Sequence, residues 1–357
     1  MFTSVTLFQS HELSTLIFHP DKTYLLMCAQ GCDSTLLPSG PFLSTQIYTI
    51  TVPAVIWKTS LYHDAILCCE LAEQSHILFC QKEKDASPDF LLNSHTIMMF
   101  AHWLDPKIYM YLDKIFSLTP EDVTIMGVGC GRSDGVDAPI ITLNNRALTD
   151  GFLVLFSSLS SSIGSAHSSE FHSGYFAVKA EKSNHILTIN GEPAFGFYQK
   201  LIHKNFNEVL TQDNIFDIGL KYPFGLGGIN GEQALRVPAS VHEGAIIVAG
   251  PMEEESTLCL MRSTPRTLLQ ATAKASTKAK LNVDTLSSKE CFVIECMGRY
   301  ALLGADFQQE LEAISLEMQG VSTMYGLLSL GEIANNAEQY IEYFNESCVI
   351  GVLHANQ

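Results

Sequence analysis

The chain reads as an α/β protein of mixed, largely antiparallel sheets flanked by helices, arranged in two consecutive halves. Three observations predict this. Short apolar runs bounded by turn residues recur along the whole length. A smaller number of stretches with apolar residues at helical spacing lie between them. Hydrophobic residues make up 46% and charged residues 17%, the reverse of a disordered chain and enough for extensive cores. The 357 residues suit two domains or one large composite domain.

In chain order, strands are expected at Tyr24–Cys28, Gln46–Trp57, Ala65–Glu70, Val123–Val128, Gly151–Ser157 and Ile186–Ile189. Further strands are expected at Gly244–Gly250, Thr257–Met261, Cys291–Met297, Val321–Leu328 and Cys348–His354. In Ile141–Phe156 the pair Asn144-Asn145 tolerates the positive φ of a tight hairpin. A second turn is expected at Asn190-Gly191, followed by Pro193 at a helix start. Helices are expected at Pro106–Ser117, Pro193–Phe206, Pro265–Ala275 and Phe307–Gln319, the last stopped by Gly320. The linker falls in Asn205–Asn214, dividing an N-terminal domain (1–210) from a C-terminal one (211–357).

One element recurs. His63-Asp64-Ala65-Ile66, Thr149-Asp150-Gly151-Phe152 and His242-Glu243-Gly244-Ala245 each place an acid and a small residue before an apolar strand. This is either a common turn-into-strand device or the trace of a repeated fold unit.

The balance of 21 basic against 38 acidic residues gives a formal charge of -17. Such a surface repels phosphate backbones and anionic lipid heads, so nucleic-acid and membrane partners are not expected. No apolar run reaches the roughly 20 residues of a membrane helix, and the opening MFTSVTLFQSHEL lacks the features of a secretion signal. The ten cysteines have neither paired nor zinc-type spacing. They read as reduced, buried thiols of a cytoplasmic protein.

Motifs fail their context tests. Gly127-Val128-Gly129-Cys130-Gly131 follows a strand, but DAPIITLNN continues as turn and strand, without the helix that would hold a pyrophosphate. Gly131-Arg132-Ser133-Asp134-Gly135 is a literal G-x-S-x-G that lacks the same helix. Gly225–Gly231 lacks the Lys-Ser/Thr ending of a phosphate loop and reads as an irregular entry loop. Cys296 and Arg299 sit close together after a strand, a context that could lower the thiol pKa, but no base accompanies them. An enzyme is therefore not expected.

Among twelve histidines, His172 is flanked by Phe171, Tyr175 and Phe176, which could wall an apolar pocket. His95 and His102 bracket a Met- and aromatic-rich segment suited to a flat ligand. A lone imidazole in an aromatic cavity is what five-coordinate haem needs, which makes His172 the candidate iron ligand, with Tyr175, His95 and His102 as candidate haem contacts.

Several fragments, taken in order, resemble the paired N- and C-terminal FIST domains. These are Gly31-Cys32-Asp33-Ser34-Thr35, VPAVIW with YHDAILCCEL, VTIMGVGCGRSD, and FHSGYFAVKAEKSNHILTINGEPAFGFYQKL. The C-terminal set is YPFGLGGINGEQALRVPASVHEGAIIVAGPMEEES, Cys296-x-x-Arg299, Gly326 with Gly331-Glu332-Ile333, and Phe344-Asn345-x-Ser347. The resemblance implies a sensory module with a small-molecule ligand. One branch of the family senses nitric oxide through haem b and regulates a partner histidine kinase; a homodimer is also compatible. The alternative is a sensor of a small metabolite such as an amino acid, with Arg299, Glu332, Asn345 and Cys296 around the ligand. There an arginine would meet a carboxylate and a glutamate an ammonium.

Overall fold

Three times along the chain the same four-strand plan appears. The computed structural model describes residues 1–32, 45–81, 93–167, 169–182, 184–227, 233–280, 288–320, 323–335 and 340–354. The first unit contains β1 (Phe2–Gln9), β2 (Thr23–Ala29), β3 (Gln46–Val52), the hairpin β4 (Val55–Trp57) and β5 (Ser60–Tyr62), and β6 (Ala65–Leu71). Here β2 runs parallel to β3, β6 returns antiparallel to β2, and β1 pairs antiparallel with β6.

The second unit repeats this with β7 (Ser75–Cys80), β8 (Thr96–His102), α1 (Ile108–Leu118), β9 (Thr124–Cys130), the hairpin β10 (Ile141–Leu143) and β11 (Arg146–Ala147), and β12 (Phe152–Ser157). Again β8 and β9 are parallel, β12 returns beside β8, and β7 lies outside β12.

The third unit opens with β13 (Ser160–His167) and is then interrupted. The insertion holds β14 (Glu170–Glu181), β15 (His185–Ile189), β16 (Glu192–Pro193), α2 (Ala194–Phe206), α3 (Ile215–Lys221), β17 (Phe224–Gly227), β18 (Gln233–Arg236), β19 (Pro238–His242), β20 (Ala245–Val248) and β21 (Glu255–Arg262). The plan resumes with α4 (Pro265–Lys280), β22 (Ser288–Cys296), α5 (Met297–Leu303), α6 (Phe307–Glu317), β23 (Thr323–Ser329), the hairpin β24 (Glu332–Asn335) and β25 (Ile341–Phe344), and β26 (Ser347–His354). Once more β22 and β23 are parallel, β26 returns beside β22, and β13 lies outside β26.

Each unit lends its hairpin to a neighbour. The first unit's β4–β5 pairs with β23, the second unit's β10–β11 with β3, and the third unit's β24–β25 with β9. The exchange is cyclic, and it closes three six-stranded sheets into a triangular prism. Where β3, β9 and β23 meet, Gly131 N–H donates to Thr51 O and Leu330 N–H to Gly129 O. Pro53 stands at the third equivalent position and has no N–H to give. One core fills the prism from all three sheets, including Leu25, Ile50, Phe100, Val128, Phe292 and Leu327.

Outside the prism the cover differs by unit. Helix α1 packs Ile108, Leu112 and Ile115 on the second sheet. Helices α4 and α6 pack Leu268, Ala275, Leu311 and Ile314 on the third. At Gly164 an added Cβ would stand 1.9 Å from Ala275 O, so α4 lies directly on β13. The first sheet is covered by Leu13 and Leu16 near a single 3-10 turn. The inserted sheet carries its own core with α2 and α3, in which Tyr198, Ile202, Ile215 and Ile218 meet Phe224, Ile246 and Leu258.

Mixed, mostly antiparallel sheets are present as expected, but among the described residues the helices are short and few and do not flank every sheet. Nor are the halves consecutive. Strands from both sides of residue 210 share three of the four sheets described, and residue 210 itself lies between α2 and α3. The physical reason is the hairpin exchange, a choice of partner that local pattern does not encode. The single strand expected at Gln46–Trp57 is two, broken at Pro53. Gly225–Gly227, read as an irregular loop, belong to β17. The turn at Asp33-Ser34-Thr35, the remainder of the second glycine run (228–231) and the start of the strand at Val321 lie outside the described residues.

Candidate ligand-binding site

Each unit ends its parallel pair at the same end of the prism, at Ala29 and Val52, at His102 and Cys130, and at Cys296 and Ser329. The returning strands start beside those ends, preceded directly by Asp64 and Glu346 and, one residue further back, by Asp150. Crevices outside the carboxyl ends of parallel strands are where α/β sheets place ligands. The recurring acid-and-small element is thus a repeat of the fold at Asp64 and Asp150. The third equivalent is Glu346-Ser347, whereas Glu243-Gly244 is a hairpin turn with φ of 49° and 85°.

The third corner brings together Cys296, Arg299, Glu332 and Asn345. All four are buried, with Arg299 and Glu332 at 0% exposure. The Arg299 guanidinium donates to Glu295 Oε2 (3.0 Å), Thr272 Oγ1 (2.7 Å), the Leu268 and Glu346 carbonyls, and Glu310 Oε1. One cation therefore faces two buried carboxyls. Burial and the Glu310 charge push Glu295 up to about 8, so Glu295 holds a proton while Arg299 pairs with Glu310. Glu332 accepts from the Ser329 hydroxyl and from Ser347 N–H (3.2 Å) and Oγ–H (2.8 Å), and burial raises it to about 7. Asn345 donates to Leu235 O and Ala249 O of the insertion. Cys296 Sγ accepts from Gly298 N–H and Glu346 N–H, and burial holds the thiol well above its usual range. The expected ligand contacts are thus met by the protein itself.

The second corner is open. A cleft of about 590 Å³ is lined by His102, Asp105, Lys107, Asp137 and Asp150, with Ile141 and Leu148 as its apolar wall. Asp105 lies in the loop after β8 and is fixed by Lys107 N–H (2.9 Å) and the Tyr111 hydroxyl (2.8 Å). Asp150, at φ 56°, is turned by the tight entry into β12. His102 Nδ1 accepts Leu104 N–H (3.1 Å), so its proton belongs on Nε2. Burial lowers the His102 pKa despite nearby Asp105, in accord with a neutral ring. The cleft can offer an imidazole N–H, an ammonium and three carboxylates to a small polar molecule.

The histidine candidates do not converge. His95 and His102 bracket one extended strand, about 23 Å apart at the usual rise per residue. His172 lies on β14, with its ring 4.7 Å from Phe206 and Nε2 against Asn205 Oδ1 (3.4 Å). Phe171 and Tyr175 stack on each other and stand in solvent, at 50% and 72% exposure, instead of walling a pocket. A haem edge would need that wall, so the surroundings of His172 do not fit the group. Nor does the loop after β9 form a catalytic elbow: Gly131–Ile140 contains no helix, and Ser133 Oγ bonds Gln30 Oε1 (3.1 Å).

Sequence reasoning passed over Asp105, Lys107, Asp137, Glu346 and Arg236. The signals for the cleft were the recurring element at Asp150 and His102, which the sequence offers as a haem contact and the structure places in the cleft. Arg236 is fully buried on β18 and bridges the insertion to the prism, donating to Pro251 O (2.6 Å), Leu235 O (2.7 Å) and the Tyr109 hydroxyl of α1. Residues 194–335, from α2 through β24, match the family described as FIST C domain. No curated protein matches the chain.

Proposed function

With residues 194–335 marking this chain as a FIST-domain protein, we propose that it is a small-ligand sensory protein of intracellular signal transduction, seating its ligand in the cleft at the ends of β8 and β9. FIST domains are associated with small-ligand sensing in signalling. The observation that carries the placement is the contrast between equivalent corners: the third is filled by its own side chains, while the second leaves His102, Asp105, Lys107, Asp137 and Asp150 around about 590 Å³. The ligand is a small polar metabolite bound without haem, and the protein acts by binding, its Cys296 thiol being buried and protonated. A histidine kinase is the partner class that the family resemblance implies, reached by contact in trans.

A metabolite library screened by thermal shift tests this. A ligand at 100 times its Kd stabilises by about 2.7 kcal/mol. Hits should lose at least tenfold in affinity, by calorimetry, in both Asp150→Asn and His102→Ala. Hits whose affinity is unchanged in both variants would place the seat elsewhere. An absorption spectrum after haem supplementation should show no Soret band; a band retained after dialysis would revive the haem reading.

A further inference from the structure

The insertion leaves and rejoins the prism at two points, Ser169 just before β14 and Ser263 just after β21. Both are buried, and their hydroxyls hydrogen-bond each other. Both also lie within hydrogen-bond distance of one atom, Glu346 Oε2, at 3.4 Å from Ser169 and 2.7 Å from Ser263, so the three groups share the available protons. Glu346 is itself 1% exposed and belongs to the prism, in the turn between β25 and β26. A single carboxyl thus gathers both crossing strands at the root of a layer of about ninety residues that has a core of its own.

We propose that Glu346 is the clasp of a hinge between prism and insertion, and that ionisation of Glu346 releases it. Among the described residues, the titratable groups that face this carboxyl include Arg299 from α5, Glu332 from β24, Cys296 at the end of β22 and Tyr198 from α2. Arg299 is the sole cation among them, and it is engaged by Glu295 and Glu310. Burial raises Glu346 to about 8 from its ordinary 4.5, outweighing the Ser263 and Ser169 hydroxyls and the Arg299 charge, which favour the carboxylate, with Glu332 adding a little to the rise. Opening the root would hydrate the carboxyl and return it towards 4.5. Between these values the closed form keeps a proton that the open form gives up. Opening therefore increases with pH, by up to about tenfold per pH unit, and levels off above about 8. The inference is independent of the cleft, because it concerns the dock of the insertion and no ligand contact.

Hydrogen exchange of the whole protein, corrected for intrinsic rates, would be followed for the amides around Ser169 and Ser263 from pH 5.5 to 9. Wild type should show opening that rises with pH up to about 8, while Glu346→Gln, which keeps an acceptor but cannot ionise, should be flat over that range. The Ser169→Ala/Ser263→Ala pair, which leaves the carboxyl in place, should open more at every pH. Identical pH profiles for wild type and Glu346→Gln would overturn the proposal, as would an unchanged level of opening in the double serine variant.

Discussion

Replacing Arg299 by leucine would leave Glu310 and Glu295 buried without their shared cation. The loss of a buried partner costs about 3–5 kcal/mol, which urea denaturation of Arg299→Leu should register. Glu295→Gln is the informative companion. Since Glu295 already carries a proton at neutral pH, the amide should cost less than about 1 kcal/mol. A large loss from Glu295→Gln would show that the carboxylate form is needed. The same chemistry sets a pH dependence. Glu295 and Glu346 titrate at about 8 and Glu332 at about 7, all above their ordinary 4.5. The folded chain holds these protons where the unfolded chain has lost them, so this stabilising contribution is complete below about 4.5. It falls as pH rises to 7 for Glu332 and 8 for the other two, by up to about 1.4 kcal/mol per pH unit for each group. Urea midpoints at pH 5.5 and 7.5 check the sign. At this scale the sequence was partly legible. Asn144 and Asn145 adopt φ of 47° and 65°, as their residue type predicts. Glu346 is hidden in the sequence because Glu243-Gly244, an unrelated hairpin turn, matches the acid-and-small pattern better than Glu346-Ser347 does.

Elements were legible where the pattern was strong and local. Helices α1, α2 and α6 fall where they are expected, α2 and α6 from apolar spacing, and each lays one apolar stripe on a sheet. Strands β13 and β14 are not among the expected strands: SSSIGSAH is serine-rich with little apolar alternation, and in EFHSGYF the aromatic residues point to a pocket around His172. The need for small residues in β13 comes from tertiary packing: α4 rests on Gly164. Gly164→Ala should therefore force α4 off the sheet and cost about 1–3 kcal/mol in thermal or urea unfolding; a neutral result would mean that the helix can shift freely. The dock of the insertion rests on α1 as well, through Tyr109 and Arg236. Removing that hydroxyl in Tyr109→Phe should cost about 1–3 kcal/mol, because a buried charged donor loses an acceptor. Protection of β18 in hydrogen exchange should fall with it. The juxtaposition of Cys296, Arg299, Glu332 and Asn345 was legible only through family resemblance, since the residues lie on separate elements.

At the scale of the molecule, the prediction of two consecutive halves failed because sheet partnership in this chain is long-range. The β24–β9 pairing, for example, joins Glu332 to Val128. Such pairings must overcome loop-closure entropy, and nothing in a local window of sequence reports them. What was legible is the sheet-rich composition and the surplus of acidic residues.

The cyclic loan of hairpins has a consequence for how the chain is made. As it leaves the ribosome, the first sheet lacks its outer pair until residue 147 has emerged, and the second until residue 344. The third must wait for β26, although its borrowed hairpin is the earliest to appear. Every nascent length short of nearly the whole chain therefore exposes unpaired strand edges, the surfaces on which chains aggregate. This is a protein for which a late stop codon is nearly as damaging as an early one.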